Sequence, residues 1–114
     1  METKLLNLED VNNKLQCFGF TVIHFAPPKG SIKTEDFNRL YLVKREDGKS
    51  TIVKLVDFAR MPFGRIGSLL TIPATGLLAN VWREQWRRKY PATTDDTEMA
   101  VYCYIRHTSY GERS

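Results

Sequence analysis

The sequence predicts a single small α+β domain, in which two helices pack on about four mainly antiparallel strands in the order α-β-β-β-α-β. The chain has 114 residues, enough for one domain, and 42% of them are hydrophobic, as in packed globular proteins. Asp47-Gly48 between two apolar runs predicts a β-hairpin, whose strands pair antiparallel. We therefore expect residues 1–114 to form one domain with a flexible tail from about residue 108.

The first part of the chain predicts a helix, a strand and a long loop. Apolar residues recur at helical spacing over residues 8–16, and Asn7 is a suitable N-cap. A run rich in Phe, Val and Ile follows and predicts a strand that ends near residue 25. Residues 26–38 then form a loop of about a dozen residues, and loops of this length are often functional.

The hairpin register follows from the turn. With Asp47-Gly48 as a two-residue loop, Glu46 faces Lys49 across strands at residues 40–46 and 49–58. This register gathers four apolar side chains on one side, namely Leu40, Leu42, Val53 and Leu55. Asp57 follows on that apolar side, so it either leaves the sheet or faces a partner.

The second half predicts an irregular stretch over residues 59–72, then one helix and a last strand. The helix opens at Pro73 or Thr75 and ends near Lys89, because the residue before a proline avoids helical angles. Its apolar stripe comprises Leu77, Leu78, Val81, Trp82 and Trp86. Residues 100–107 alternate as a strand does, with Val101, Cys103 and Ile105 opposite Tyr102, Tyr104 and Arg106.

Positive charge is concentrated in the second half. The net charge is +4, and residues 58–94 hold six cations against only Glu84, namely Arg60, Arg65, Arg83, Arg87, Arg88 and Lys89. Arginine matches carboxylates and phosphates as a rigid fork. Our leading hypothesis is a non-enzymatic binding protein that uses these six residues to engage an acidic partner, either nucleic acid or an acidic protein surface.

A small ribonuclease-like enzyme is the alternative. His24 and His107 are its candidate acid–base residues, but no order of nucleophile and base is recognisable around them. The two cysteines, Cys17 and Cys103, form no CxxC pair and match no zinc-site spacing. We therefore expect neither a metal nor a cofactor, and we favour the non-enzymatic hypothesis.

The last strand supports a third hypothesis, an oligomeric interaction protein. Tyr102, Tyr104 and Arg106 line one side of this strand, and Tyr and Arg are enriched at binding hot spots. The protein would form a homodimer through this strand if the strand lay at a sheet edge.

The sequence also indicates where the protein works. No apolar run approaches the roughly 18 residues that span a bilayer, and the first residues do not resemble a secretory signal. We expect a cytoplasmic protein without membrane contact. Small size, basic charge and the lack of a catalytic motif are also common among accessory proteins of mobile genetic elements, a hypothesis that depends on composition.

Overall fold

The computed structural model describes residues 4–6, 8, 14 and 18–107. Its strands and helices are β1 (Lys4–Leu5), β2 (Gly19–Phe25), β3 (Leu40–Lys44), β4 (Ser50–Pro62), α1 (Ser68–Thr75), α2 (Ala79–Lys89) and β5 (Glu98–Arg106). Short 3-10 helices cover Thr34–Asn38 and Phe63–Arg65. The predicted first helix and the predicted tail lie largely outside the described residues.

The described strands form one sheet in the order β1-β3-β4-β5-β2. The strands β2 to β5 pair antiparallel, and the two-residue β1 adds a parallel edge beside β3. The predicted α+β class, with a four-stranded antiparallel sheet and two helices, is therefore confirmed. No helix within the described ranges is long and apolar enough to cross a membrane.

Apolar side chains fill both faces of the sheet. The face that carries α1 and α2 buries one cluster, formed by Ile23, Phe63, Ile66, Ala74, Trp82, Met99 and Val101. The opposite face buries a second cluster, formed by Phe20, Val43, Val53, Leu55 and Tyr104. The long loop and the N-terminal segment help to close this second cluster with Leu6, Leu8, Ile32 and Phe37. The helices thus cover one face, and the loop covers part of the other.

The predicted hairpin is present, but its predicted register is wrong by one residue. Leu42 faces Ile52 rather than Val53. Because side chains alternate along a strand, this shift changes which of them share a face. The buried side of the hairpin consists of Val43, Thr51, Val53 and Leu55, whereas Leu40 and Leu42 lie on the other side.

The turn explains the shift, because its loop has three residues rather than two. Arg45 donates its backbone N–H to the Lys49 carbonyl at 2.8 Å, and Gly48 N–H donates back to Arg45 at 3.1 Å. Gly48 has φ +86°, the left-handed region that glycine adopts without steric cost. A turn that ends in a left-handed glycine is the common three-residue hairpin loop.

A β-bulge in β4 explains where Asp57 lies. Leu55 faces Tyr104 and Asp57 faces Cys103, so Val56 is an extra residue between these pairs. One extra residue reverses the side to which the following side chains point. Asp57 thereby leaves the apolar side of the strand and is exposed to solvent.

The stretch predicted as irregular is mostly regular. The strand β4 continues to Pro62, because its backbone stays paired with β5 as far as Glu98. After one 3-10 turn, α1 already begins at Ser68, before either of the predicted starts. Pairing with a distant strand supplies hydrogen bonds that local sequence preference did not reveal.

The predicted single helix is two helices. Gly76 adopts φ +79° and ends α1, since left-handed angles favour glycine at the end of a helix. A new helix, α2, begins at Ala79. The break turns Leu78 and Val81 outward although the sequence placed them on the apolar stripe, whereas Trp82 is buried as predicted.

Candidate functional site

A row of aromatic rings follows one side of α2. Trp82, Trp86 and Tyr90 recur every four residues and therefore lie on one side of the helix. Ring centroids are 5.5 Å apart between Trp82 and Trp86, and 4.7 Å apart between Trp86 and Tyr90. The row begins in the core, where Trp82 packs on Phe63 at 5.1 Å, and its outer two rings are half-buried. The core thus positions rings that solvent can reach.

A cleft of about 660 Å³ lies where this row meets the edge strand β2. We call it the β2–α2 cleft. Its aromatic and polar lining includes His24, Gln85, Trp86, Lys89 and Tyr90, together with Lys14, Thr75 and Trp82. The volume falls within the range of roughly 300–1,000 Å³ that is usual for ligand pockets.

The outer end of β2 contributes His24 to this cleft. The imidazole meets the Trp86 ring edge-on at 6.1 Å, and its Nδ1 accepts the backbone N–H of Phe25 at 2.9 Å. Because Nδ1 accepts this hydrogen bond, Nε2 is the ring nitrogen that remains to contact a ligand. His24 is exposed and can therefore offer an Nε2–H donor to a ligand.

Two polar side chains hold β2 against α1 beside the cleft. The buried Lys14 donates from Nζ to the carbonyls of Thr21 at 3.1 Å and Ala74 at 3.0 Å. The Thr21 hydroxyl donates to the Leu70 carbonyl at 3.1 Å. Carbonyl partners compensate a buried ammonium group, which would otherwise be costly to desolvate. Hydrogen bonds as well as packing therefore set the spacing of the walls.

Three of the six predicted binding cations lie together on the polar face of α2. They line a shallow depression of about 410 Å³, which is formed by Asn80, Arg83, Glu84, Arg87 and Arg88. Arg87 pairs with Asp95 at 2.5 Å, and Arg88 pairs with Glu84 at 2.7 Å. Two of the three charges are therefore already compensated by carboxylates.

The remaining cations near α2 have no carboxylate partner among the described residues. Within residues 18–107, Arg65, Arg83 and Lys89 form no ion pair with a carboxylate. Arg83 donates to the backbone carbonyl of Ile66 at 2.7 Å. Lys89 lies at the cleft, with Nζ 5.6 Å from the Tyr90 ring centroid.

Arg60 has a structural role that the sequence did not predict. It donates to the carbonyls of Pro27 at 2.5 Å and Pro28 at 3.0 Å, and it pairs with Glu98 at 3.4 Å. Its guanidinium also lies 5.4 Å from the Phe58 ring centroid. These contacts fasten the long loop to β4, so the donors of Arg60 are directed at the protein itself.

The two candidate catalytic histidines lie in different parts of the sheet. His24 faces Ala100, and His107 follows along the same strand seven residues later, a separation of about 23 Å. Neither imidazole is hydrogen-bonded to a carboxylate within the part of the chain that the structure describes. The described part of the chain contains no group of three or more His, Cys, Asp or Glu side chains that could hold a metal ion. The structure does not join the two histidines in one site.

The hypothesis of a homodimer through the last strand required this strand to lie at a sheet edge. In the structure, β5 is internal, between β4 and β2. Tyr104 is 6% exposed and stacks on Phe20 at 5.5 Å, and burial raises the pKa of its phenol far above the ordinary value. Tyr102 and Arg106 are half-buried, and desolvation likewise raises the pKa of Tyr102. This side of β5 belongs largely to the core.

The sequence did not predict the meeting of His24, Trp86 and Tyr90. The sequence favours a buried position for Trp86, and it offers a tryptophan or tyrosine between Trp82 and Tyr90 for stacking without indicating which ring solvent can reach. The four-residue spacing from Trp82 to Tyr90 was the available signal for an aromatic row. β2 contributes His24 to the cleft only because of its place in the strand order, which local sequence patterns do not determine.

Comparison with known proteins supports the fold. No protein-family model matches the chain, and no curated protein matches it in sequence. The structure is similar to the crystal structure of protein EF3133 from Enterococcus faecalis V583, described with the family model DUF984, with a TM-score of 0.61. The match covers 100% of this chain and 86% of that chain at 5% sequence identity. At this identity, the similarity shows a shared fold alone.

Proposed function

We propose that this domain is a non-enzymatic binding protein for single-stranded nucleic acid, which holds a base in the β2–α2 cleft and phosphates with Lys89 and with cations outside the cleft. One observation supports this most directly. Half-buried rings held by the core line a cleft beside Lys89, a cation without a carboxylate partner among the described residues. Proteins bind single strands by stacking bases on aromatic rings and holding phosphates with nearby cations.

An unstacked base matches the chemistry of the cleft. Every base has flat π faces, and Trp86 and Tyr90 offer ring surface where the aromatic row reaches solvent. The Nε2–H of His24 and the amide of Gln85 provide donors and an acceptor for the polar edge of a base. Bases inside a duplex are already stacked and paired, so single strands should bind more tightly.

Nucleic acid as a partner explains both the cations and the aromatic cleft, whereas an acidic protein surface explains the cations alone. An acidic surface would use the cations and leave the aromatic cleft without a role. A nucleotide uses both, because its phosphate carries the charge and its base carries the ring. The uncompensated cations, Arg65, Arg83 and Lys89, are the ones that we assign to phosphates. Lys89 lines the cleft, whereas Arg83 lies on the polar face of α2, where it would hold a phosphate of the strand outside the cleft.

Cleavage of the bound strand is not part of this proposal. General acid–base catalysis of RNA cleavage uses two positioned groups. His24 lines the described part of the cleft without a carboxylate or a second histidine beside it. The ribonuclease alternative therefore depends on groups that these walls do not supply.

Fluorescence anisotropy with labelled single-stranded RNA and DNA tests the proposal. Tyr90→Ala should weaken binding by roughly 5–150-fold, the loss of about 1–3 kcal/mol for one stacked base, whereas Tyr90→Phe should retain affinity. The matched control is Phe18→Ala, because Phe18 is an exposed aromatic residue outside the cleft. Intrinsic tryptophan fluorescence should be quenched on binding in the wild type, and much less in Trp86→Phe.

Several outcomes would contradict the proposal. The absence of binding at low salt would exclude nucleic acid as the partner. Equal affinity for duplex and single strand would show that the base does not enter the cleft. Full competition by polyglutamate, with no effect of Tyr90→Ala, would favour an acidic protein surface. RNA cleavage that is lost in His24→Ala would favour the enzyme.

A further inference from the structure

One segment of this basic protein carries no charge. Residues 66–82 include neither an acidic nor a basic side chain nor a histidine, although 26% of the whole chain is charged. The segment contains all of α1 and the start of α2. A long uncharged stretch is expected in a buried element, where charges are costly. Here, however, much of it lies on the surface.

Four aliphatic side chains of this segment are exposed. Leu69 is 91% exposed, Leu78 57%, Ile72 48% and Val81 38%. Together they equal more than two fully exposed aliphatic residues, on the order of 400 Å² of surface, which is the size of a functional apolar patch. Single exposed apolar residues are ordinary, but a contiguous patch of this size needs a physical reason.

Two hydrogen bonds bring the exposed residues of α1 and those at the start of α2 to the same part of the molecule. The Ser68 hydroxyl accepts the backbone N–H of Ala79 at 2.9 Å, and the Thr71 hydroxyl donates to the Leu77 carbonyl at 2.7 Å. The start of α2 therefore lies against the first turn of α1. Leu69 and Ile72 are three residues apart and so share a face of α1. Leu78 is the residue that precedes α2, and Val81 lies in the first turn of that helix. We call these four residues the neutral patch.

We propose that the neutral patch binds a second copy of this chain and forms a twofold-symmetric dimer. An interface about a twofold axis brings the same surface of each copy together, so that surface must be compatible with itself. Copies with a net charge of +4 repel each other wherever basic surfaces meet. The neutral patch offers apolar area without like charges, and an acidic partner would find no cation in it.

The area of the patch also suits a self-association of moderate strength. A standard interface buries about 800 Å² on each partner, of which an apolar centre is roughly half and a polar rim the remainder. The neutral patch supplies such a centre. None of the four residues of the neutral patch lines the β2–α2 cleft, so this inference does not depend on the proposed nucleic-acid function.

Sedimentation across a hundredfold range of protein concentration tests the dimer. The wild type should shift from the mass of one chain to the mass of two as concentration rises. The double variant Leu69→Glu/Ile72→Glu should remain monomeric, because it places like charges across the axis. Since Leu69 is 91% and Ile72 48% exposed, this variant should keep the wild-type circular dichroism spectrum and, at concentrations where the wild type is monomeric, its melting temperature. Leu69→Met, which remains apolar, should dimerise as the wild type does.

Val56→Glu is the matched control, because Val56 is 40% exposed and lies in β4, outside the neutral patch. It should dimerise normally. A wild type that stays monomeric at every concentration would overturn the proposal, and so would a dimer that persists in the double variant. Flotation of a monomeric wild type with anionic vesicles, lost in the double variant, would also overturn it and would identify a membrane as the occupant.

Discussion

The salt dependence of nucleic-acid binding is the prediction that the ion pairs determine most directly. Each phosphate that a protein cation neutralises on a single strand contributes about −0.7 to the slope of log affinity against log salt. If all six predicted cations bound phosphates, the slope would be about −4. The structure pairs three of them with carboxylates, namely Arg60, Arg87 and Arg88. With the other three engaged, we expect a slope near −2 on single-stranded RNA or DNA.

Single substitutions measure how much each cation contributes to this slope. Lys89→Gln should lower its magnitude by about 0.7, because it removes one phosphate contact at the cleft. Lys44→Gln changes the net charge equally but lies at the end of β3, outside the cleft lining, and should leave the slope unchanged. Titrating labelled oligonucleotide against protein at five or more salt concentrations gives all three slopes, and thermal melts confirm that the variants fold.

A wild-type slope near −4 would contradict this prediction. Exposed ion pairs contribute only about 0–1 kcal/mol, so phosphates are able to compete for the same guanidinium groups. A steep slope would show that Arg87 and Arg88 leave Asp95 and Glu84 when the strand binds. An equal decrease for Lys44→Gln and Lys89→Gln would show that net charge, rather than the cleft, determines binding.

Three further predictions concern the fold. Trp82→Ala should lower the free energy of unfolding by about 3–5 kcal/mol in urea titrations, because it empties a buried aromatic site. Gly76→Ala should cost about 1–2 kcal/mol in the same assay, since φ +79° is strained for alanine, whereas Gly67→Ala, in extended backbone, should cost less. The pKa of Asp47 is lowered to about 2, chiefly by its hydrogen bond from Arg45, so this contribution to stability is complete above pH 4 and disappears as the pH falls towards 2. NMR titration should show that Arg45→Ala raises the pKa of Asp47 towards its ordinary value.

Much of the architecture follows from local patterns in the sequence. The hairpin at Asp47-Gly48, the tryptophan face of the second helix and the alternation of the last strand are all visible as periodicities of two or 3.6 residues. These patterns reflect the geometry of one element at a time. They identified the α+β class and the burial of Trp82 correctly.

Features that depend on pairing between elements were decided only by the tertiary structure. The register of the hairpin changed by one residue because Gly48 accepts left-handed angles and lengthens the loop. The bulge at Val56 depends on the partner strand, and the internal position of β5 depends on where β2 pairs. None of these leaves a periodic trace in the chain.

The candidate site shows the same division. A count of arginine and lysine residues indicates six equivalent cations, but their availability depends on which carboxylates and carbonyls fold beside them. Arg60 donates to Pro27, 33 residues away, and Arg87 pairs with Asp95 across the end of its helix. The sequence determined that this protein is basic and contains an aromatic helix. Only the fold placed that helix beside β2 and left Lys89 without a carboxylate partner among the described residues, because electrostatic interactions depend on distance in space rather than along the chain.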